Sequence, residues 1–401
     1  MEFSETPRIV AGVRLATVSA GVKTPGRKDL TLIAFDAGTT VAGVFTRNAF
    51  CAAPVTVSRE HLVATAPRLL VVNSGNANAG TGSQGHADAR EVCAVAAREF
   101  GCATAAVLPF STGVIGQRLP VERILNVLPE AVSALAPGGW DDAAHGIMTT
   151  DTVPKCASVA IESEGFACTI TGIAKGAGMI KPDMATMLGY VATDAAIATS
   201  DLQAALAQAA DRSFNRITID GDTSTNDSLI LAATGAGPQG RTAPGAPGWE
   251  AFVTGLEQVC ESLARAIVRD GEGATKLVKV SVVGGRSEAD CLKVAYAVGE
   301  SPLVKTALFA GDPNWGRILA ATGRSGVAGL DISKVSLALN DYFIVRDGEP
   351  AAGYEEKIAA DIMKGAEYDI VIDLGAGPAS AFVLTCDFSY DYVKINAEYR
   401  S

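Results

Sequence analysis

The stretch Lys175-Gly176-Ala177-Gly178-Met179-Ile180-Lys181-Pro182-Asp183-Met184-Ala185-Thr186-Met187-Leu188-Gly189-Tyr190 places a threonine between small and apolar residues, directly after a glycine-rich, proline-kinked approach. Read from the residues alone, it has two meanings. A threonine leading into an apolar strand through Leu188, Tyr190 and Ala192 is ordinarily a half-buried β-branched filler. The other meaning is a nucleophile, which needs a base within hydrogen-bond reach. One such base is the threonine's own α-amine, freed by cutting the preceding peptide bond. On that reading the Thr186 hydroxyl attacks the carbonyl of Ala185, the acyl group shifts from nitrogen to oxygen, and water releases it. Backbone strain near Gly178 and Pro182 would assist the step. The freed amine has a reference pKa of about 7.7–8.0, so a neutral fraction exists near neutral pH to take the hydroxyl proton without a histidine.

Upstream of this stretch, Leu30-Thr31-Leu32-Ile33-Ala34-Phe35, Thr40-Val41-Ala42-Gly43-Val44-Phe45 and Leu69-Leu70-Val71-Val72 read as strands. Two helices follow: one carries Ala89, Val92, Cys93, Ala96 and Phe100 on one face, the other runs from about Pro120 through Leu128. Downstream comes a helix opened by a Ser200/Gln203 capping box. A longer helix carries the stripe Phe252, Leu256, Val259, Cys260, Leu263, Ile267, and Asp270-Gly271-Glu272-Gly273 ends it. The strand Leu277–Val283 comes next, and the Gly284-Gly285-Arg286 turn is the expected boundary of a smaller C-terminal unit. Two units result, 1–285 and 286–401. The second should hold a helix near 287–298, a helix at 314–321, strands near 334–346, and a late pair of strands. In the first of that pair, Tyr368, Ile370, Ile372 and Leu374 alternate with Asp369, Val371 and Asp373. Pro238–Pro247 reads as an exposed loop. Interleaved strands and helices throughout predict α/β layers with mixed sheets.

Composition narrows the function. The chain has 401 residues, 48% hydrophobic and 19% charged, with 42 glycines, which suits two or three packed units without disordered tracts. A formal charge of −11 argues against nucleic acid and anionic membranes, both of which demand a basic footprint. No run of eighteen apolar residues exists, and Met1-Glu2-Phe3-Ser4-Glu5 lacks the order of a signal peptide, so a cytoplasmic protein acting on small molecules is expected. Eight cysteines without a CxxC pair predict free thiols, and three histidines without HExxH spacing argue against zinc. Asp220–Asp227 begins like a calcium loop, but Leu231 stands where the glutamate is needed. Gly271–Lys276 lacks the order of a phosphate loop.

The run KGAGMIKPDMATMLGY resembles the autoprocessing site of the ArgJ-type ornithine acetyltransferases, also called glutamate N-acetyltransferases, of arginine biosynthesis. Four further segments resemble the same family: Val72–Ala79 (VNSGNANA), Ser111–Gly116 (STGVIG), Gly311–Arg317 (GDPNWGR) and Asn396–Ser401 (NAEYRS). The resemblance implies an N-terminal-nucleophile-like (DmpA/ArgJ-like) αββα sandwich with a smaller C-terminal α/β domain. It implies Thr186 as nucleophile, cleavage between Ala185 and Thr186, and mature chains 1–185 and 186–401. Thr112 and the backbone N–H of Gly113 are implied as oxyanion-hole donors. Thr152, Lys175, Thr186, Glu272, Asn396 and Ser401 are implied to bind substrate, with no metal or cofactor. A lysine suits a substrate α-carboxylate and a glutamate an ornithine ammonium. Asn73–Asn78 and Gly311–Arg317 would support the pocket.

The implied reaction is double displacement: N2-acetylornithine acetylates Thr186 and leaves as ornithine, and glutamate takes the acetyl group as N-acetylglutamate. Some family members also use acetyl-CoA, and pairing of cleaved chains into an α2β2 heterotetramer is implied. Two competitors stand beside it: an N-terminal-threonine aminopeptidase or amidase, and a non-catalytic amino-acid-binding protein in which Thr186 is structural.

Overall fold

A computed structural model describes residues 1–163, 165–181, 187–237 and 241–398. The chain divides into two compact units. The first takes the described residues of 1–176, 187–215 and 223–267, and the second takes those of 177–181, 216–222 and 268–398.

The first unit is built on two sheets. A four-stranded sheet runs Val13–Val18, Leu30–Phe35, Leu69–Asn76, Val107–Val114. A six-stranded sheet runs Glu2–Ser4, Lys155–Ser163, Phe166–Lys175, Leu188–Thr193, Ser228–Ala233, Thr40–Phe45. Side chains alternate across a strand, and here both faces are apolar because both are covered. Leu30, Leu32 and Ala34 meet Val92, Cys93 and Ala96 of the helix Gly82–Phe100, and Ile124 and Leu128 of the helix Val121–Ser133. Ile33 and Phe35 turn the other way. With Leu70, Val72, Leu108 and Phe110 they pack against Ile173, Leu188, Tyr190, Ala192, Ile230 and Ala232 of the second sheet. The helix Trp249–Arg269 covers the outer face of that sheet so closely that a Cβ on Gly255 would stand 2.7 Å from Ile161 and 3.1 Å from Val159. Helix, sheet, sheet, helix is the αββα sandwich that the resemblance implies.

The neighbouring strands Leu30–Phe35 and Thr40–Phe45 belong to different sheets, and Phe35 and Val41 share the core between them. The Ser200/Gln203 capping box does not form. The helix Thr199–Arg212 has Ala198 at its N-cap with no side-chain cap. Gln203 is used elsewhere: its Oε1 accepts from Gly43 N–H at 3.2 Å and its Nε2 donates to Gly43 O at 3.3 Å. The helix Ala53–Ala64 had no counterpart in the sequence reading.

The second unit has one six-stranded sheet: Glu349–Pro350, Tyr342–Arg346, Ser336–Leu339, Glu367–Asp373, Leu277–Gly285, Ala379–Cys386. The expected boundary at Gly285 is therefore misplaced. Leu277–Gly285 is an inner strand of this sheet, pairing parallel with Glu367–Asp373 and antiparallel with Ala379–Cys386. Val278, Val280 and Val282 share a core with Ile370, Ile372, Val383 and, from the helix Glu288–Gly299, Val294 and Val298. The compact unit starts at Val268, inside the last turn of the helix Trp249–Arg269. Ser287 caps Glu288–Gly299 by accepting from Asp290 N–H at 3.1 Å. A further helix, Pro302–Ala310, carries Ser301 as its cap and proline at its first position. All eight cysteines are unpaired. Among the described residues no helix is long and apolar enough to cross a membrane.

Candidate active site

Thr112 and Gly113 lie at the end of the strand Val107–Val114, parallel to Leu69–Asn76, with Ser74 opposite Thr112 and Gly75 opposite Gly113. The ladder breaks at Asn76, and the two backbones close on each other there. A Cβ at Gly113, where φ is +132°, would lie 2.3 Å from the Gly75 carbonyl carbon, so only glycine fits. The surrounding polar groups are satisfied by neighbours. Ser111 Oγ donates to Asn73 Oδ1 at 2.6 Å, and Asn73 Nδ2 donates to Asn76 O at 2.9 Å. Ser74 Oγ donates to Gly146 O, and Asn78 Nδ2 to Gly85 O. The asparagine-rich segment is thus a scaffold that holds the turn.

Thr112 shares a strand face with Phe110, which points into the core between the sheets. There the Phe110 ring meets Tyr190 edge-on, with centroids 5.3 Å apart and planes at 76°. Tyr190, the last residue of the run Lys175–Tyr190, is on the strand Leu188–Thr193. The tie at the rim is Asn226. Its Nδ2 donates to Ser111 O at 2.8 Å and to Ala77 O at 2.6 Å. Two residues later, Ser228 N–H donates to Met187 O at 2.9 Å. The end of the strand carrying Thr112 and the start of the strand after residue 186 are therefore linked through three consecutive residues. Thr186 and Ala185 themselves lie outside the described residues.

Lys175 ends the strand Phe166–Lys175, opposite Leu188. It is buried, and its Nζ stands 4.0 Å from Asp151 Oδ2. Thr152 follows Asp151 directly. The carboxylate of Asp151 also accepts from Lys155 Nζ at 2.7 Å, Gly176 N–H at 2.7 Å and Thr149 N–H at 3.0 Å. Burial alone would raise the Asp151 pKa, but the charges of Lys175 and Lys155 and these hydrogen bonds overcome it and hold the carboxyl below the usual range. Asp227, between Asn226 and Ser228, behaves oppositely. Burial pushes its carboxyl well above the ordinary value, against the Ser224 hydrogen bonds and the charge of Lys175. Its Oδ2 makes no hydrogen bond among the described residues.

The remaining predicted residues are in the second unit. Glu272 is buried in the loop after Trp249–Arg269, and Asn396 Nδ2, on the helix Tyr390–Glu398, donates to Glu272 Oε2 at 2.8 Å. The Glu272 carboxylate lies against Gly178, where a Cβ would stand 2.5 Å from it, and Glu272 N–H donates to Ala177 O at 2.8 Å. Asp220, read as the start of a calcium-like loop, accepts from the N–H groups of Met179 and Ile180 at 2.6 and 2.9 Å. Met179 takes φ +55°, uncommon for a side-chain-bearing residue. Asn314, in the Gly311–Arg317 motif, caps the helix Trp315–Gly323. Ser401 lies outside the described residues.

The residues that the sequence reading missed are Asp151, Lys155, Asn226 and Asp227. The one signal available was an aspartate and a lysine four apart, a spacing that resembles a surface helix pair and here sits on strand and loop. Chemically, the first unit offers a glycine backbone and a threonine hydroxyl at a strand end tied to the strand after residue 186, with a lysine-rich buried cluster beside it. The second offers a buried carboxylate held by an amide.

Among solved structures, the chain is similar to the arginine biosynthesis bifunctional protein ArgJ of Bacillus halodurans, at 40% identity over 51% of this chain and 95% of that one, with a TM-score of 0.49. It is also similar to the ornithine acetyltransferase of Mycobacterium tuberculosis, solved in complex with ornithine, at 38% identity over 44% of this chain and 99% of that one, with a TM-score of 0.41. The model of the ArgJ family matches residues 14–401, which takes in every segment just described, and the chain belongs to that family.

Proposed function

We propose that the chain is an acetyltransferase of arginine biosynthesis that cuts itself before Thr186 and then carries the acetyl group on that residue. The observation that carries the reading is the Asn226 tie. With Ser228, whose N–H donates to Met187 O, it joins the strand end bearing Thr112 and Gly113 to the strand Leu188–Thr193.

In the precursor, the Thr186 hydroxyl adds to the Ala185 carbonyl, the peptide nitrogen leaves as the new α-amine, and water hydrolyses the ester. Chains 1–185 and 186–401 result, and they pair as an α2β2 heterotetramer. In turnover, the α-amine takes the hydroxyl proton while Thr186 Oγ attacks the acetyl carbonyl of N2-acetylornithine. Gly113 N–H and Thr112 Oγ stabilise the oxyanion, where one donor is worth on the order of 3–4 kcal/mol. The amine returns its proton to the departing ornithine nitrogen. Glutamate's amino group then attacks the acetyl ester and regenerates Thr186. Lys175 and Thr152 take the substrate carboxylate end, and Glu272 with Asn396 takes the ornithine ammonium. Eight unpaired thiols suit the reducing cytoplasm.

The test is ornithine release from N2-acetylornithine with glutamate varied. Parallel double-reciprocal lines, and a fragment beginning at Thr186 that gains one acetyl group when glutamate is omitted, are expected. Ornithine release independent of glutamate would make the protein a hydrolase, and no release would leave an amino-acid-binding protein. Substituting acetyl-CoA for acetylornithine tests the second donor.

A further inference from the structure

In the second unit, the Asp220 carboxylate gathers three backbone donors. Its Oδ2 accepts from Met179 N–H at 2.6 Å, and its Oδ1 accepts from Ile180 N–H at 2.9 Å and Asp222 N–H at 3.3 Å. Ile180 is gripped from its other side as well, because its carbonyl accepts from Ile219 N–H at 2.8 Å and Thr218 Oγ1 at 3.3 Å. Bonds to a carboxylate are stronger than neutral ones. Here they hold Met179 at φ +55°, a conformation that a residue with a side chain seldom takes. One residue earlier, Gly178 lies against the Glu272 carboxylate, and Glu272 N–H reaches back to Ala177 O at 2.8 Å. The turn that Asp220 holds is therefore one wall around Glu272.

The helix Tyr390–Glu398 is the other wall. It buries none of its residues, so its seat depends on a few side-chain contacts. Tyr392 and Asn396 are four apart and share a face of it. Tyr392 stacks on Phe388 with centroids 4.5 Å apart, and its hydroxyl donates to Asp220 Oδ2 at 3.5 Å. Asn396 Nδ2 donates to Glu272 Oε2 at 2.8 Å. One carboxylate, Asp220, thus touches both walls between which Glu272 is held.

We infer that Asp220 is a positioning residue: by holding the Met179–Ile180 turn and the Tyr392 hydroxyl, it fixes the Glu272 carboxylate where the side-chain ammonium of the substrate meets it. This rests on the acetyl-transfer reading above, in which Glu272 with Asn396 takes that ammonium.

The test compares N2-acetylornithine with N2-acetylnorvaline, which has the same carbon chain and no side-chain amine, as acetyl donors to glutamate, using the processed protein. Wild type prefers N2-acetylornithine. Asp220→Asn keeps the size but turns an amide N–H towards a backbone donor. In it the KM for N2-acetylornithine rises about tenfold, the scale of one weakened bond to a charged group, while its kcat and the KM for N2-acetylnorvaline change little. Tyr392→Phe removes only the long hydroxyl contact and moves the same ratio in the same direction by about two- to threefold. A purely structural Asp220 would depress both donors alike, which overturns the inference. If Asp220→Asn does not fold or process, Tyr392→Phe decides: a shifted ratio supports the role, and an unchanged ratio overturns it. A wild type that transfers no acetyl group defeats the acetyl-transfer reading, and a Glu272→Gln variant that keeps the wild-type preference defeats the assignment of the ammonium to Glu272, so these failures are distinguishable from the failure of Asp220.

Discussion

Asn226 Nδ2 donates to Ser111 O at 2.8 Å, and through this bond the last turn of the four-stranded sheet is fixed to the loop that feeds the six-stranded one. The same amide nitrogen donates to Ala77 O, and its oxygen accepts from Thr225 Oγ1. One buried side chain therefore satisfies groups from three segments. An asparagine can do this because it carries two donors and an acceptor on one short stem.

Asn226→Ala leaves two buried carbonyls without these donors and should lower stability by about 2–4 kcal/mol. Asn226→Asp should cost more, since it turns an acceptor towards two carbonyls. Urea unfolding of both variants checks the order. Asn226→Asp matching wild type would show that the tie holds nothing.

Gly113→Ala places a methyl group within the Gly75–Asn76 backbone and should destabilise by more than about 4 kcal/mol, or abolish folded protein. Gly116→Ala provides the contrast. That glycine has φ +78° but open space around it, so only the left-handed conformation is penalised, by about 1–2 kcal/mol. Similar melting temperatures for the two would contradict the close approach of the strands.

Tyr190 brings a hydroxyl into the core between the sheets, where it finds no hydrogen-bond partner among the described residues. Tyr190→Phe keeps the ring against Phe110 and removes the orphaned group, whose burial costs about 1–3 kcal/mol. The variant should be as stable as wild type or more so by calorimetry. A clear loss of stability would mean that the hydroxyl has a partner.

Asp227 holds its proton in the folded protein above the pH at which the unfolded chain releases it, near 4. The stability this contributes is complete below that pH and is lost as pH rises through the raised folded value. Asp227→Asn has no proton to lose. Its stability relative to wild type should be constant in acid and grow as pH rises, measured by denaturant midpoints at a series of pH values. Parallel curves would show that Asp227 is ionised in the fold.

Much of the fold is legible because its elements declare themselves locally. The alternation of Tyr368, Ile370 and Ile372 is buried as read, and the stripe of Phe252 to Ile267 is one helix ended by the glycines at 271 and 273. What the sequence hides is assignment across distance. Leu30–Phe35 and Thr40–Phe45 look alike yet enter different sheets, since residues apolar on both faces do not say which neighbour covers which face. Gln203 looks like a capping residue until Gly43 claims its amide. In the site, the motif Ser111–Gly116 marks the strand end where only glycine fits at 113. Asp151 and Asn226 have no such mark, because their roles depend on partners 24 to 149 residues away, such as Lys175 for Asp151 and Ala77 for Asn226.

Intact mass spectrometry of purified wild type beside Thr186→Ala tests the central claim most directly. Wild type should give two chains of about 19 and 22 kDa, the 41.1 kDa total shared in proportion to residues 1–185 and 186–401, and the variant should remain whole. A wild type that stays a single 41.1 kDa chain would leave Thr186 without its α-amine base and contradict the proposed mechanism.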